Sequence, residues 1–146
     1  MNGQAAERLI LVIEDNPQHL SRIEAALRES TVPHRLIAIA SGTAALQYLY
    51  RRDEFVDAVR PDLILLDFNL PDKDGREILE EIKSNAQLRR IPIVILTMSA
   101  EAEDIFNSYS LQGNCYVIKS ENLDQLFQVV KRIEEFWLGI VTLPLE

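Results

Sequence analysis

At 146 residues and 47% hydrophobic content, the chain has the length and the apolar share to build one well-buried domain. A formal charge of −8 with no Lys/Arg block argues against a general nucleic-acid binder, because gripping a phosphate backbone needs a cationic face. A single cysteine, Cys115, cannot form an intrachain disulfide, and neither a signal peptide nor a membrane-length apolar run is recognisable, so the expected location is cytoplasmic with no membrane partner.

The first strand is predicted from Leu9 to Ile13 and ends on the acidic pair Glu14 and Asp15. A helix carrying Leu20, Ile23 and Leu27 at helical spacing follows, then a second strand from Leu36 to Ile39 and a helix marked by Ala45, Leu46 and Leu49. Residues 51–60, RRDEFVDAVR, read as a solvated helix end and loop. The third strand, Leu63 to Leu66, is apolar throughout and is therefore expected in the sheet interior with both faces covered. It ends on Asp67, with Asn69 two residues on. Ile78, Leu79 and Ile82 mark a third helix, and Ile93 to Leu96 a fourth strand that leads to Thr97 and Ser99. Ile105, Phe106 and Tyr109 mark a fourth helix, and Tyr116 to Ile118 a fifth strand that leads to Lys119 and Ser120. The fifth helix carries Leu123, Leu126, Phe127, Val130, Ile133 and Trp137, and Pro144 ends any extension. His19 and His34 are each isolated and read as surface or loop histidines.

Five alternating strand and helix units predict an α/β fold, a doubly wound parallel sheet with helices on both faces. In such sheets ligands sit at the carboxyl ends of the strands, and the polar residues just named gather there. Glu14, Asp15 and Asp67 would share one crevice. Two unit charges about 4 Å apart repel by about 1 kcal/mol in water and about 4 kcal/mol at an effective dielectric of 20. A hard divalent cation such as Mg²⁺ or Mn²⁺ compensates naturally, and Lys119 offers a fixed positive charge on the opposite side. An Asp carboxylate can accept a phosphoryl group as an acyl phosphate, whose charge the metal and Lys119 would neutralise while the Thr97 hydroxyl donates to it.

The segments IEDN, LLDFNLPDKDG, ILTMS and CYVIKS, in this order, resemble the four signatures of response-regulator receiver domains. The resemblance spans residues 9 to about 133, so that the chain, 1–146, is expected to be a single receiver domain with a C-terminal extension over about 134–146. It implies a flavodoxin-like five-stranded sheet in the order 2-1-3-4-5. It further implies that Asp67 is the phosphoacceptor and that Asp15 and Asp67 contact the metal directly, with Glu14 acting through water and the Asn69 backbone carbonyl completing the protein ligands. Thr97 and Lys119 match the family's hydroxyl and lysine, and Tyr116 its aromatic switch, which would change rotamer when Thr97 turns toward the phosphoryl group.

The chain departs from the family pattern at three positions. Ser120 stands where most receivers have proline, so a cis bond there would cost about 2.5 to 4 kcal/mol. Met98 is bulkier than the usual Ala or Gly, and Glu14 replaces the commoner Asp. The ending NCYVIKS and the tail IEEFWLGIVTLPLE resemble small single-domain regulators paired with cyanobacterial phytochrome histidine kinases, which implies a phosphohistidine donor on a phytochrome-type kinase.

The tail carries Phe136, Trp137, Leu138, Ile140, Val141, Leu143 and Leu145, more apolar groups than one helical stripe hides. An exposed patch and a homodimer through the C-terminal surface are expected. Two other Asp- or sheet-based chemistries fit less well. A haloacid-dehalogenase hydrolase needs a second Asp where Asn69 stands, and a flavodoxin-type flavin protein needs a phosphate loop where Glu14 and Asp15 would repel one. A receiver fold serving only as a dimerisation or docking module remains the alternative to a phosphoacceptor, which would not be an enzyme acting on external substrates.

Overall fold

The computed structural model describes residues 7–98, 100–110, 115–141, 143 and 144. Its strands are β1 (Arg8–Ile13), β2 (His34–Ile39), β3 (Leu63–Leu66), β4 (Ile93–Thr97) and β5 (Cys115–Ile118). Between and after them lie α1 (Pro17–Arg28), α2 (Gly42–Tyr50), α3 (Gly75–Ser84), α4 (Ala102–Ser110) and α5 (Leu123–Trp137). All strand pairs are parallel, and the sheet order is β2-β1-β3-β4-β5, as the sequence pattern and the family resemblance together imply.

The apolar strands bury both faces by simple alternation. Leu11, Ile13, Ile64, Leu66, Ile93 and Ile95 point to one side, where they pack with Leu46 and Leu49 of α2 and Ile78, Leu79 and Ile82 of α3. Ile10, Val12, Leu63, Leu65, Val94 and Leu96 point to the other, against Ile23 and Leu27 of α1 and Leu126, Val130 and Ile133 of α5. Side chains that bury this completely contribute about 1.5 to 3 kcal/mol each before the entropy of ordering them is counted.

Helix starts are specified locally. Asn16 caps α1, its side chain accepting from the Gln18 and His19 amides, with Pro17 pre-set for the first turn. Asn122 caps α5 and Asp74 caps α3 in the same manner. Residues 51–60 are mostly exposed, as expected, although Asp53–Phe55 form a 3-10 turn whose Phe55 ring packs edge-on against Tyr48.

Four expectations need correction. His19 is buried in the first turn of α1, because positions 19, 23, 26 and 27 form one helical stripe facing the sheet. His34 is half-buried at the start of β2, its Nδ1 2.8 Å from the Val32 carbonyl oxygen. In α4 the apolar residues do not form the buried face: Phe106 is 71% and Tyr109 52% exposed, whereas Asp104 and Ser108, one turn apart, are buried. The tail is also only partly exposed. Trp137 and Leu138 pack against the α1/α5 side of the core, and the Val141 amide donates to the Phe136 carbonyl, turning the chain back so that Leu143 is buried. Phe136 at 50% and Ile140 at 74% remain exposed; Leu145, like Ser99, lies outside the described residues. No helix among the described residues is long and apolar enough to cross a membrane.

Candidate functional site

The order of the strands reverses between β1 and β3, which leaves a crevice at their carboxyl ends. The site residues there are held by the sheet itself. The Glu14 amide donates to the Ile39 carbonyl, the Asp67 amide to the Ile13 carbonyl and the Lys119 amide to the Thr97 carbonyl, so each extends the ladder by one residue. Glu14, Asp67 and Lys119, far apart in the chain, therefore converge with little backbone freedom.

The Lys119 Nζ donates to Glu14 Oε1 at 2.6 Å and to Asp67 Oδ2 at 3.2 Å. All three side chains are almost shut off from solvent, with residue exposures of 4% for Lys119, 2% for Glu14 and 4% for Asp67. Burial pushes the Glu14 carboxyl above the ordinary carboxylate range; the hydrogen bond from Lys119 opposes this and the charge of Asp67 adds to it. The other carboxylate oxygens accept from the backbone, Glu14 Oε2 from the Asn16 amide at 3.1 Å and Asp67 Oδ1 from the Asn69 amide at 3.2 Å.

Asp15 is exposed at the mouth, and one carboxylate oxygen from each of Glu14, Asp15 and Asp67 lies within 4.8 Å of the others. Three carboxylates against one ammonium leave the cluster anionic, and an all-oxygen set with an open, solvated side fits a hard divalent cation such as Mg²⁺ or Mn²⁺. The cluster could hold such an ion.

Thr97 is fully buried, and its hydroxyl accepts from the Asn69 side-chain amide at 3.4 Å. The half-buried Tyr116 ring meets Phe68 edge-to-face at 5.8 Å, while its backbone amide donates to the Tyr109 hydroxyl at 3.2 Å. Phe68, next to Asp67, also lies beneath the Arg76 guanidinium, which grips Asp104 of α4 through two hydrogen bonds of 2.6 and 2.5 Å. The phosphoacceptor candidate is thus connected through one ring to both Tyr116 and α4. Ser120, where most receivers have proline, donates its hydroxyl to the Gln125 side chain at 2.7 Å and accepts from the Asn122 amide at 3.0 Å. No cis peptide bond occurs among the described residues. Met98 is exposed beside this end of the sheet.

Glu14, Asp15, Asp67, Asn69, Thr97, Lys119 and Ser120 are found at this end of the sheet, Tyr116 lies inside β5 two residues before the strand ends, and Ser99 lies outside the described residues. Sequence reasoning missed His19, whose buried Nδ1 has no hydrogen-bond partner among the described residues and whose imidazole feels the charges of Lys119, Asp67 and Asp15. The helical stripe through Ile23 and Leu27 was the signal that could have found it. It also missed Asp72 and Arg76, whose partners Gly42 and Asp104 lie about thirty residues away and leave no local pattern.

The family model of the response regulator receiver domain matches residues 10–131. The response regulator Rcp1 of Synechocystis sp. is 48% identical over 137 residues, covering 94% of this chain and 93% of that protein. Among solved structures, the phosphorylated cyanobacterial phytochrome response regulator RcpA is 54% identical, with a TM-score of 0.93 over 96% of this chain and 100% of that one. The Mn²⁺-bound form of Rcp1 superposes with a TM-score of 0.93 at 48% identity, covering 94% of this chain and 99% of that one.

Proposed function

The chain belongs to the response-regulator receiver family, and we propose that it is a two-component response regulator that accepts a phosphoryl group on Asp67 from a phytochrome-type histidine kinase. The observation that carries this reading is the buried Glu14–Lys119–Asp67 arrangement opening onto exposed Asp15. It pairs a shielded carboxylate nucleophile with a fixed ammonium and leaves one anionic ligand at the mouth. The phytochrome-type donor is supported by the likeness to RcpA, described as a cyanobacterial phytochrome response regulator.

The Asp67 carboxylate attacks phosphorus of the donor phosphohistidine, the P–N bond breaks, and the imidazole leaves with the bonding pair and takes up a proton. Lys119, already hydrogen-bonded to Asp67, pairs with a phosphoryl oxygen as the acyl phosphate forms. A divalent cation, when held by Glu14, Asp15, Asp67 and the Asn69 backbone carbonyl, supplies further neutralisation of the phosphoryl charge. The Thr97 hydroxyl, now paired with Asn69, turns to a phosphoryl oxygen and vacates space, and Tyr116 follows by repacking against Phe68. The exposed Phe106, Tyr109 and Ile118 of α4 and β5 form the surface this repacking alters.

In this reading the protein is a stoichiometric signalling component that turns over only its own phosphoryl group. It works in the cytoplasm, where ATP-dependent kinases present phosphohistidine, and the chain is one receiver domain with an extension from about residue 134. It associates as a homodimer through the exposed Phe136 and Ile140. Phosphotransfer from candidate kinases, and acetyl phosphate with Mg²⁺, test the reading. Wild-type protein should gain an acid-labile phosphate that Asp67→Asn lacks while keeping its circular dichroism spectrum. Undiminished labelling of the variant would refute the site assignment, and unlabelled wild type would favour a docking module.

A further inference from the structure

We propose that Asp72 is a positioning residue for the metal and phosphoryl site: by capping α2 it fixes the β3–α3 loop on which Asn69 sits. The inference rests on the reading that the Asn69 carbonyl is a metal ligand.

The amides at the start of a helix have no partners within it. In α2 the Gly42 amide donates to Asp72 Oδ1 at 2.9 Å and the Thr43 amide to Asp72 Oδ2 at 3.0 Å. The Ser41 hydroxyl donates to Asp72 Oδ2 at 2.7 Å and accepts from the Ala44 amide at 3.1 Å. The carboxylate that completes this cap comes from about thirty residues downstream. Charge-assisted hydrogen bonds and the positive end of the helix dipole both favour its ionised form. The Ser41 hydroxyl leads in holding the Asp72 carboxyl well below the usual carboxylate range.

A second observation places the loop directly on the helix. A Cβ on Gly42 would lie 2.8 Å from the Lys73 carbonyl oxygen and 2.7 Å from Ile78 Cδ1, so only glycine admits this approach. The loop is fastened along its length. At its start the Asn69 and Leu70 amides donate to the Asp67 side chain and the Phe68 carbonyl. At its end Asp74 caps α3 and the Gly75 amide donates to the Phe68 carbonyl. Asp72 is the middle fastening, and its anchor is a separate helix. Without it, Asn69 is held from the β3 side, while between Leu70 and Lys73 the tie to α2 is reduced to the Gly42 approach, beside the Lys73–Glu81 ion pair to α3.

The test compares Mn²⁺ affinity, by titration calorimetry or the electron paramagnetic resonance of free Mn²⁺, with thermal unfolding by circular dichroism. Asp72→Ala is expected to weaken Mn²⁺ binding about tenfold, the lower end for groups that orient a metal ligand. Asp72→Asn, which keeps one acceptor oxygen, should fall between it and wild type, and provides the comparison if Asp72→Ala does not fold. Gln47→Gly loosens α2 without touching the cap and should lower the melting temperature while leaving Mn²⁺ affinity unchanged. Wild-type affinity in Asp72→Ala and Asp72→Asn, or an equal loss in Gln47→Gly, would overturn the proposal. Wild-type protein that binds no Mn²⁺, or binds it equally after Asp15→Ala, would overturn the metal reading itself and this inference with it.

Discussion

Lys119 carries two duties at the residue scale: it offsets the repulsion between Glu14 and Asp67, and it donates to the carboxylate proposed to accept the phosphoryl group. Removing one member of a buried ionic cluster leaves the others uncompensated. Lys119→Met should therefore cost about 3 kcal/mol of stability at pH 7 by urea denaturation, with part of the loss recovered on adding Mn²⁺. A variant as stable as wild type would mean that the ammonium is not what holds the carboxylates in place. His19 makes a separate prediction. Burial, reinforced by the charge of Lys119, holds its imidazole below the ordinary 6.5. As pH falls through about 6.5 the unfolded chain takes up a proton before the folded one does. Stability should thus be level above that pH and decline below it, toward the folded value. His19→Gln should flatten this part of the profile; an unchanged profile would assign the decline to another group.

At the scale of elements, the glycine that opens α3 shows how closely the site is built. A Cβ on Gly75 would lie 2.3 Å from the Asp67 carbonyl oxygen and 2.6 Å from the Phe68 Cα, both backbone atoms that cannot swing away. Gly75→Ala must displace either α3 or the Asp67 end of β3. We expect it to cost about 1 to 3 kcal/mol in chemical denaturation, in the range of overpacked sites, and to slow phosphorylation by acetyl phosphate. A variant with wild-type stability and labelling would show that the helix start yields easily. The elements also differ in how plainly they could be read. Strands β1, β3 and β4, buried on both faces, read directly as apolar runs. Helix α4 was legible from Ile105, Phe106 and Tyr109, but its buried face was not, because the inward positions are filled by Asp104, paired with Arg76, and by Ser108, while Phe106 and Tyr109 face out.

For the whole molecule, the question is what covers Phe136 and Ile140. With Leu143 folded inward and Trp137 and Leu138 packed on the α1/α5 side, the patch is smaller than the tail composition suggests. An aromatic residue with an apolar neighbour still forms a serviceable interface anchor, provided other surface joins it. Analytical ultracentrifugation at micromolar concentration should find the intact chain dimeric and a version truncated after Glu135 shifted toward monomer. Two monomeric species would exclude the dimer, and two equally dimeric ones would move the interface elsewhere on the domain.

The sequence by itself determined the strands, their crossover helices and which polar residues stand at the strand ends. Strand alternation and helical spacing are local, and the ends of β1, β3, β4 and β5 each carry their polar residue within the same short segment as the apolar run that places it. The helix caps at Asn16, Asp74 and Asn122 are local as well, acting on amides two or three residues away, although they were seen only in the structure. Only the tertiary structure decided that the tail turns back to bury Leu143 and that Asp72 caps a helix about thirty residues earlier. The reason is physical: whether an apolar side chain is covered, or a carboxylate satisfied, depends on what another segment brings to it, and the contacts between segments distant in the chain carry no periodicity of their own.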